Sequence, residues 1–106
     1  MKGRGDLGKL MKQAQEMQSK MARVQEELAG REVEGTAGGG AVTVRMNGKQ
    51  ELLSVKIRPE AVDPEDVEML EDMLVAAFRE ARRHAEELMQ SEMAKVTGGM
   101  GLPGMF

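Results

Sequence analysis

The sequence contains no cysteine, tryptophan or tyrosine, and its only phenylalanines are Phe78 and Phe106. Without cysteine the chain can form neither a disulfide framework nor a cysteine-based zinc site, and this composition fits a reducing compartment. Because aromatic residues make up 2% of the chain and hydrophobic residues 41%, the core must consist of Leu, Val, Ala and Met. The eleven methionines suit an adaptable helical interface better than a rigid pocket.

The sequence also offers little for catalysis or metal binding. Its single histidine, His84, leaves no imidazole cluster for a transition metal. Since Arg82, Arg83, Glu86 and Glu87 surround it, we interpret it as a solvated helix residue and not as a general base. There is no cysteine nucleophile, and no serine lies in a nucleophile-elbow context. We therefore predict no enzyme activity, no metal and no cofactor.

No apolar run approaches the roughly 20 residues that a membrane-spanning helix needs, and the N-terminus lacks the apolar centre of a signal peptide. A chain of 106 residues fits one domain. We expect a cytoplasmic protein with no membrane partner and no small-molecule substrate, and with flexible tails at residues 1–6 and 98–106. A tail that docks Leu102 or Phe106 into a groove of a partner subunit is the alternative.

The first predicted helix runs from Leu7 to Ala29. Its apolar residues alternate at spacings of three and four, which is the a/d seam of a coiled coil over three heptads. The seam consists of Leu7, Leu10, Ala14, Met17, Met21, Val24 and Leu28. This stripe favours packing against another long helix over an ordinary amphipathic helix in a monomer. We expect Asp6 to cap the start of the helix and Gly30 to end it in the left-handed conformation.

Three strands are predicted next, over residues 31–36, 41–46 and 50–58. Asn47-Gly48 predicts a two-residue hairpin turn between the second and third strands, with Met46 opposite Lys49. One face of this hairpin is then apolar and forms the core. That face carries Val42, Val44, Leu53, Val55 and Ile57. The other face is solvated and basic, and carries Thr43, Arg45, Ser54, Lys56 and Arg58.

The second predicted helix begins at Asp63-Pro64, with the aspartate as its cap, and continues to Val96. Acidic residues crowd its beginning, and we interpret them as partners of the positive helix end and not as a cation site. About 33 residues make a rod near 50 Å long, which would protrude from a globule of this size. A protruding helix with a narrow apolar stripe favours an obligate homodimer. The predicted dimer contacts are Leu10, Met17, Met21, Val24 and Leu88.

Two glycine-rich stretches resemble phosphate-binding loops but lack the required context. Gly38 to Gly40 lies between two predicted strands and no helix follows, so we interpret it as a hairpin connection. Residues 3–8 read G-x-G-x-x-G, but no strand precedes them, so the dinucleotide-binding unit is missing.

Basic residues form three groups on an acidic chain of net charge −3. Two groups lie on the predicted helices and one lies on the outer strand face. Taken singly, each group is explained as a solvated surface, but cations on one helix face can also follow a track of phosphates, so the helical groups are our candidates for contacts with a duplex. The predicted DNA contacts are Lys9, Lys12, Lys20 and Arg23 on the first helix, and Arg79, Arg82 and Arg83 on the second. The scarcity of aromatic residues argues against base stacking on single strands.

Several segments together resemble the YbaB/EbfC family of nucleoid-associated proteins. They are "LGKLMKQAQEMQSKMARVQEEL", "GTAGGGAVTVRMNGKQELLSVKIRPE", "DPEDVEMLEDMLVAAFREA" and "MAKVTGGMGLPGMF". The resemblance implies an α+β fold in which α-β-β-β-α subunits form an intertwined homodimer with long N- and C-terminal helices. It also implies a protein of the bacterial cytoplasm and nucleoid that binds double-stranded DNA and alters its conformation.

Two hypotheses about function follow. The first is a homodimer that binds duplex DNA with little sequence preference and contributes to nucleoid organisation and gene regulation. The second is a protein–protein adaptor that uses its coiled-coil seam and does not bind DNA.

Overall fold

The computed structural model describes the backbone of residues 2–98 and the side chains of residues 6–97. Within these residues the order of elements is helix, three strands and helix, as predicted. The elements are α1 (Lys2–Ala29), β1 (Glu32–Ala37), β2 (Val42–Asn47), β3 (Leu52–Ile57) and α2 (Val67–Gly98), with a short 3-10 turn at Pro59–Ala61 before α2. Apart from Gly98, the C-terminal tail predicted above lies outside the described residues.

The ends of α1 differ from the prediction. The helix begins at Lys2 and not at Leu7, so residues 2–6 are helical, and Asp6 lies inside the helix and does not cap it. At the other end, Gly30 is not among the residues in the left-handed region. Its amide instead donates to the carbonyl of Glu27 at 3.1 Å, so a tightened last turn of the 3-10 type closes the helix.

The start of α2 also differs. The helix begins at Val67, three residues after the predicted first position Pro64, and its cap is Asp66, whose Oδ1 accepts a hydrogen bond from the amide of Met69 at 3.2 Å. Asp63 instead organises the preceding turn, where its side chain accepts from the amide of Glu65 and its carbonyl accepts from the amide of Asp66. Two aspartates three residues apart each offer a local acceptor, and the sequence alone favours the first because proline follows it.

The three strands form an antiparallel sheet with the order β1-β2-β3. The first connection is the predicted glycine hairpin, in which Gly38, Gly39 and Gly40 all have positive φ, at 63°, 67° and 91°. Only glycine adopts such a run without strain. These three glycines therefore form the turn between β1 and β2, as the sequence predicts.

The second connection is not the predicted two-residue turn. The amide of Gln50 donates to the carbonyl of Asn47, and Gln50 itself has φ 64°, which makes a three-residue loop ending in a left-handed residue. Met46 consequently lies opposite Leu52 and not Lys49, with a bulge beside Arg45 and Met46. Gly48 is required for a different reason, since a Cβ there would meet Leu28 at the end of α1.

The predicted faces of β2 and β3 survive this shift because the bulge adds one residue, so that the register of Val42 and Val44 moves by four, an even number. Val42 lies opposite Ile57 and Val44 lies opposite Val55 on one face, which we call the inner face. The core of the chain forms where α2 crosses the inner face of β1 and β2. Its buried residues are Val42, Val44, Met46, Ala77 and Ala81.

The two helices meet in an antiparallel arrangement at their C-terminal halves. Val24 and Leu28 of α1 are buried, Val24 lines a common groove with Val96 of α2, and Arg31 pairs with Glu92 at 3.6 Å. Since α2 ends soon after Val96, the first half of α1 projects beyond it by roughly 25 Å. The radius of gyration, 20.8 Å, exceeds the roughly 13 Å of a compact chain of this length. The sequence analysis assigns the protruding helix to the second helix, whereas in the structure it is α1 that projects furthest.

Candidate nucleic-acid interface

The four predicted cations of α1 lie together on one side of the projecting helix. At 100° per residue they span an arc of roughly 80° and a length of about 21 Å. All four residues are exposed. Lys12, Lys20 and Arg23 line one shallow groove together with Gln15, Glu16 and Ser19. We call Lys9, Lys12, Lys20 and Arg23 the basic stripe.

The basic stripe is a cationic surface with little internal compensation. No salt bridge involving its four residues occurs among the described side chains. Glu16 lines the groove of Lys12, Lys20 and Arg23, and Lys20 also lines a second groove with Glu27 and Glu92. The apolar seam of α1 lies on a different side, roughly 130° round the helix axis. One face of the helix can therefore bind a partner helix while another binds an anion.

The three predicted cations of α2 do not form one surface. Arg82 pairs with Glu86 at 3.3 Å and Arg83 pairs with Glu87 at 3.2 Å, and these two arginines point about 100° apart on the helix. Arg79 and Arg82 border an apolar groove. The other residues of that groove are Val44, Val55, Leu74, Val75 and Phe78. The structure thus brings this second set together less well than the basic stripe.

The outer face of the sheet carries less free positive charge than the sequence indicates. Arg45 contacts Glu34 at 2.8 Å and Glu32 at 3.8 Å on the neighbouring strand, while Lys56 and Arg58 have no ion pair within the described part of the chain. The pairing of Glu34 with Arg45 follows from the β1–β2 register. The β2–β3 hairpin pattern alone does not include the glutamates of β1, so it cannot indicate this neutralisation.

The predicted dimer contacts fall into three environments. Leu10 is 61% exposed on the projecting part of α1, whereas Val24 is 6% exposed because its own α2 covers it. Met17, Met21 and Leu88 are half-buried. Only the first part of the seam is therefore open to a second chain, and the last part is used inside the subunit.

A larger open apolar surface lies where the sequence predicted core. The helix α2 covers β1 and β2 but leaves the inner face of β3 bare, so that Val55 and Ile57 remain 42% and 37% exposed. Val75 and Phe78 on the neighbouring flank of α2 are 49% and 40% exposed. The alternation of β3 indicates an apolar face, but it cannot show that only two of the three strands are covered.

His84 has a structural role in this arrangement. It is half-buried, and its Nδ1 lies 2.6 Å from the carbonyl oxygen of Glu34 on β1. Because a carbonyl oxygen only accepts, Nδ1 must carry the proton and donate it. The imidazole thus fastens α2 to the edge of the sheet.

Among the described side chains, no group of three or more histidines and carboxylates is placed to hold a metal ion. No described helix is long and apolar enough to cross a membrane.

Comparison with known proteins gives a consistent result. The model of the YbaB/EbfC DNA-binding family matches residues 2–100. A nucleoid-associated protein of Alkaliphilus metalliredigens is 54% identical over 106 residues, which cover 100% of this chain and 93% of that protein. One of Pelotomaculum thermopropionicum is 54% identical over 102 residues, covering 96% and 97%.

A solved structure shares the fold. The crystal structure of the uncharacterized protein HP0035 from Helicobacter pylori superposes with a TM-score of 0.66 at 21% identity, over 86% of this chain and 91% of that one. At this identity the likeness shows the fold alone.

Proposed function

The chain belongs to the YbaB/EbfC DNA-binding family, and from that premise we propose that it is a nucleoid-associated protein that binds duplex DNA as a homodimer. Binding has little sequence preference and alters the conformation of the DNA. The protein acts without catalysis and without a small-molecule substrate, in the nucleoid of the bacterial cytoplasm. The names of its relatives support this proposal. The observation that carries it is the exposed basic stripe along α1, whose Lys9 and Lys12 lie on the projecting half.

The basic stripe suits contacts with phosphates better than contacts with bases. Its four cations follow one side of a straight helix for about 21 Å, and duplex DNA carries one negative charge per roughly 1.7 Å of its axis. Lysine and arginine on such a track displace condensed counterions whatever the sequence, so affinity comes from the backbone. The second predicted set of Arg79, Arg82 and Arg83 is a weaker proposal, because two of its members are already paired with glutamates.

Dimerisation would double the basic stripe and place two projecting helices on one particle. Two surfaces of the subunit support a dimer. One is the open part of the α1 seam around Leu7 and Leu10, and the other is the bare apolar surface between β3 and α2. Solvent-exposed apolar surfaces of this kind mark contacts between proteins.

The alternative function is a protein–protein adaptor that does not bind DNA. One observation favours it: Leu7, Leu10 and Met11 are each 58–61% exposed at the tip of α1. An apolar stripe on an isolated helix is the feature that a partner helix recognises.

A gel-shift titration with several unrelated duplexes, each at several salt concentrations, separates the two functions. We expect all duplexes to shift with similar affinity, and log K to fall linearly with log salt. If all eight stripe cations of a dimer contact phosphates, the slope is about −7. If no duplex shifts even at low salt, DNA binding is wrong and the adaptor function replaces it.

A further inference from the structure

The helix α2 carries two apolar faces, and its own subunit covers only one of them. The covered face includes Ala77 and Ala81, which are fully buried against the sheet. The second face centres on Val75 and Phe78, which are 49% and 40% exposed. Such a helix is incomplete until another apolar element lies beside it.

The charged residues that flank this second face have a self-complementary arrangement. Glu71 lies four residues before Val75, and Arg82 lies four residues after Phe78. At 100° per residue these four positions fall within an arc of roughly 60°, so they form one straight row along α2. The row reads acid, apolar, apolar, base, and its midpoint lies between Val75 and Phe78.

We propose that α2 packs antiparallel against α2 of a second copy, about a two-fold axis at this midpoint. A two-fold axis here places Val75 against the partner's Phe78 and Glu71 against the partner's Arg82, and each contact occurs twice. The pairing rests on the homodimer proposed above and assigns its central contact. It also assigns Arg82 to the subunit interface and not to DNA.

The surroundings of the row fit a second helix. Val75, Phe78 and Arg82 of the row line one apolar groove with Val44 and Val55 of the sheet. Neighbouring helices pack with their axes about 8–10 Å apart, so a second α2 packed along the row would close this groove.

The charges of the row are free to change partner. Glu71 is exposed, and within the described residues it takes part in no salt bridge. Arg82 is paired only with Glu86 of its own helix, at 3.3 Å and with 59% and 43% of the two side chains exposed. Exposed pairs of this kind are weak, so an acid from a second subunit can join or replace Glu86.

A charge exchange tests the pairing. We expect Arg82→Glu and Glu71→Arg each to raise the dimer dissociation constant at least tenfold in sedimentation equilibrium, because each places like charges together twice. The double variant Arg82→Glu/Glu71→Arg restores the attraction with its sign reversed, and should return to within about threefold of the unmodified protein. Circular dichroism should show unchanged helix content in all three.

Arg83→Glu is the matched control. It has the same change of charge and the same new repulsion with a glutamate four residues on, but it points about 100° away from the row. The dissociation constant should therefore stay unchanged. If Arg82→Glu behaves like Arg83→Glu, or if the double variant is no better than the single ones, the pairing is wrong while the dimer stands. If the unmodified protein is a monomer, the homodimer itself fails.

Cross-linking provides a second measurement that does not depend on the charge variants. The chain contains no cysteine, so Val75→Cys and Phe78→Cys each introduce a single thiol. A mixture of the two proteins, exchanged and gently oxidised, should form mainly the mixed disulfide dimer. A statistical mixture or no cross-link would overturn the antiparallel arrangement.

Discussion

Gly35 of β1 lies directly beneath Ala77 of α2, and no space separates them for a side chain. A Cβ at Gly35 would fall under 3.0 Å from backbone atoms of both Ala77 and Ala81. Since both alanines are fully buried, the helix can approach the strand this closely only because all three residues are small. This crossing fixes the height of α2 above the sheet.

Gly35→Ala should therefore destabilise the subunit by about 2 kcal/mol or more, because the clash is with backbone and α2 must move as a whole. Urea unfolding followed by circular dichroism measures the change. Gly8→Ala is the control, since nothing lies within 4 Å of its Cβ position in α1, and it should raise stability by up to about 1 kcal/mol. Equal stability of Gly35→Ala and the original protein would show that the helix adjusts freely.

The close approach at Gly35 is one of the features that the sequence could not reveal. A glycine within a predicted strand indicates a bulge or a near neighbour, but it does not identify that neighbour. The order of elements and the faces of β2 and β3 could be predicted, because periods of two and of three to four residues are local properties. The shifted β2–β3 register could not be predicted, because it depends on how Asn47 and Gly48 contact the end of α1.

The same distinction holds for the candidate interface. The clustering of Lys9, Lys12, Lys20 and Arg23 could be predicted because it is a matter of helical spacing alone. The pairing of Arg45 with Glu34, and the bare inner face of β3, depend on which strands lie side by side and on where α2 crosses them. Those are tertiary properties.

Gln50→Gly should stabilise the subunit by about 0.5–1 kcal/mol. Gln50 has φ 64°, and it is the one residue other than glycine with positive φ in the described chain. A side chain costs energy in this conformation and glycine does not. Lys49→Gly in the same loop relieves no strain and should lower stability slightly. Thermal unfolding compares the two, and a gain for Lys49→Gly but not for Gln50→Gly would contradict the loop geometry.

Asn47→Ala should cost about 3 kcal/mol. The buried side chain of Asn47 donates to the carbonyl of Ala29 and to the carboxylate of Glu51, and its Oδ1 accepts from the amides of Lys49 and Glu51. Alanine leaves these groups without their partner and detaches the loop from the end of α1. Glu51→Ala removes one of the four bonds, at an exposed residue, and should cost under about 1 kcal/mol. Urea unfolding measures both changes. An equally small loss of unfolding free energy in the two variants would contradict the central role of Asn47.

Leu10→Asp should affect dimerisation, whereas Val24→Asp should affect folding of the subunit. Because Leu10 is 61% exposed within the subunit, a charge there should leave the fold intact and weaken the dimer if the open seam is part of the interface. Val24 is 6% exposed beneath its own α2, so a charge there should unfold the helix pair. Circular dichroism and sedimentation velocity together separate the two effects. An unchanged dimer in Leu10→Asp would remove the open seam from the interface.

The position of DNA is tested by two variants that remove equal charge from different surfaces. Lys9→Ala/Lys12→Ala removes half of the basic stripe, whereas Lys56→Ala/Arg58→Ala removes the free cations of the outer sheet face. Each lowers the charge of a dimer by four, so a difference between them reports position and not net charge. All four substituted positions are exposed, so the fold should persist in both variants.

We expect the stripe variant to weaken every duplex alike and to reduce the slope of log K against log salt by three to four, at about 0.9 for each lost phosphate contact. The sheet variant should change the slope by less than one, because Arg45 and its two glutamates leave that face nearly neutral. Fluorescence anisotropy at four or more salt concentrations gives both slopes from one set of titrations. A larger loss for Lys56→Ala/Arg58→Ala would make the sheet the DNA platform and remove that role from α1. A loss confined to one duplex sequence would show base readout, which contacts with phosphates alone do not produce.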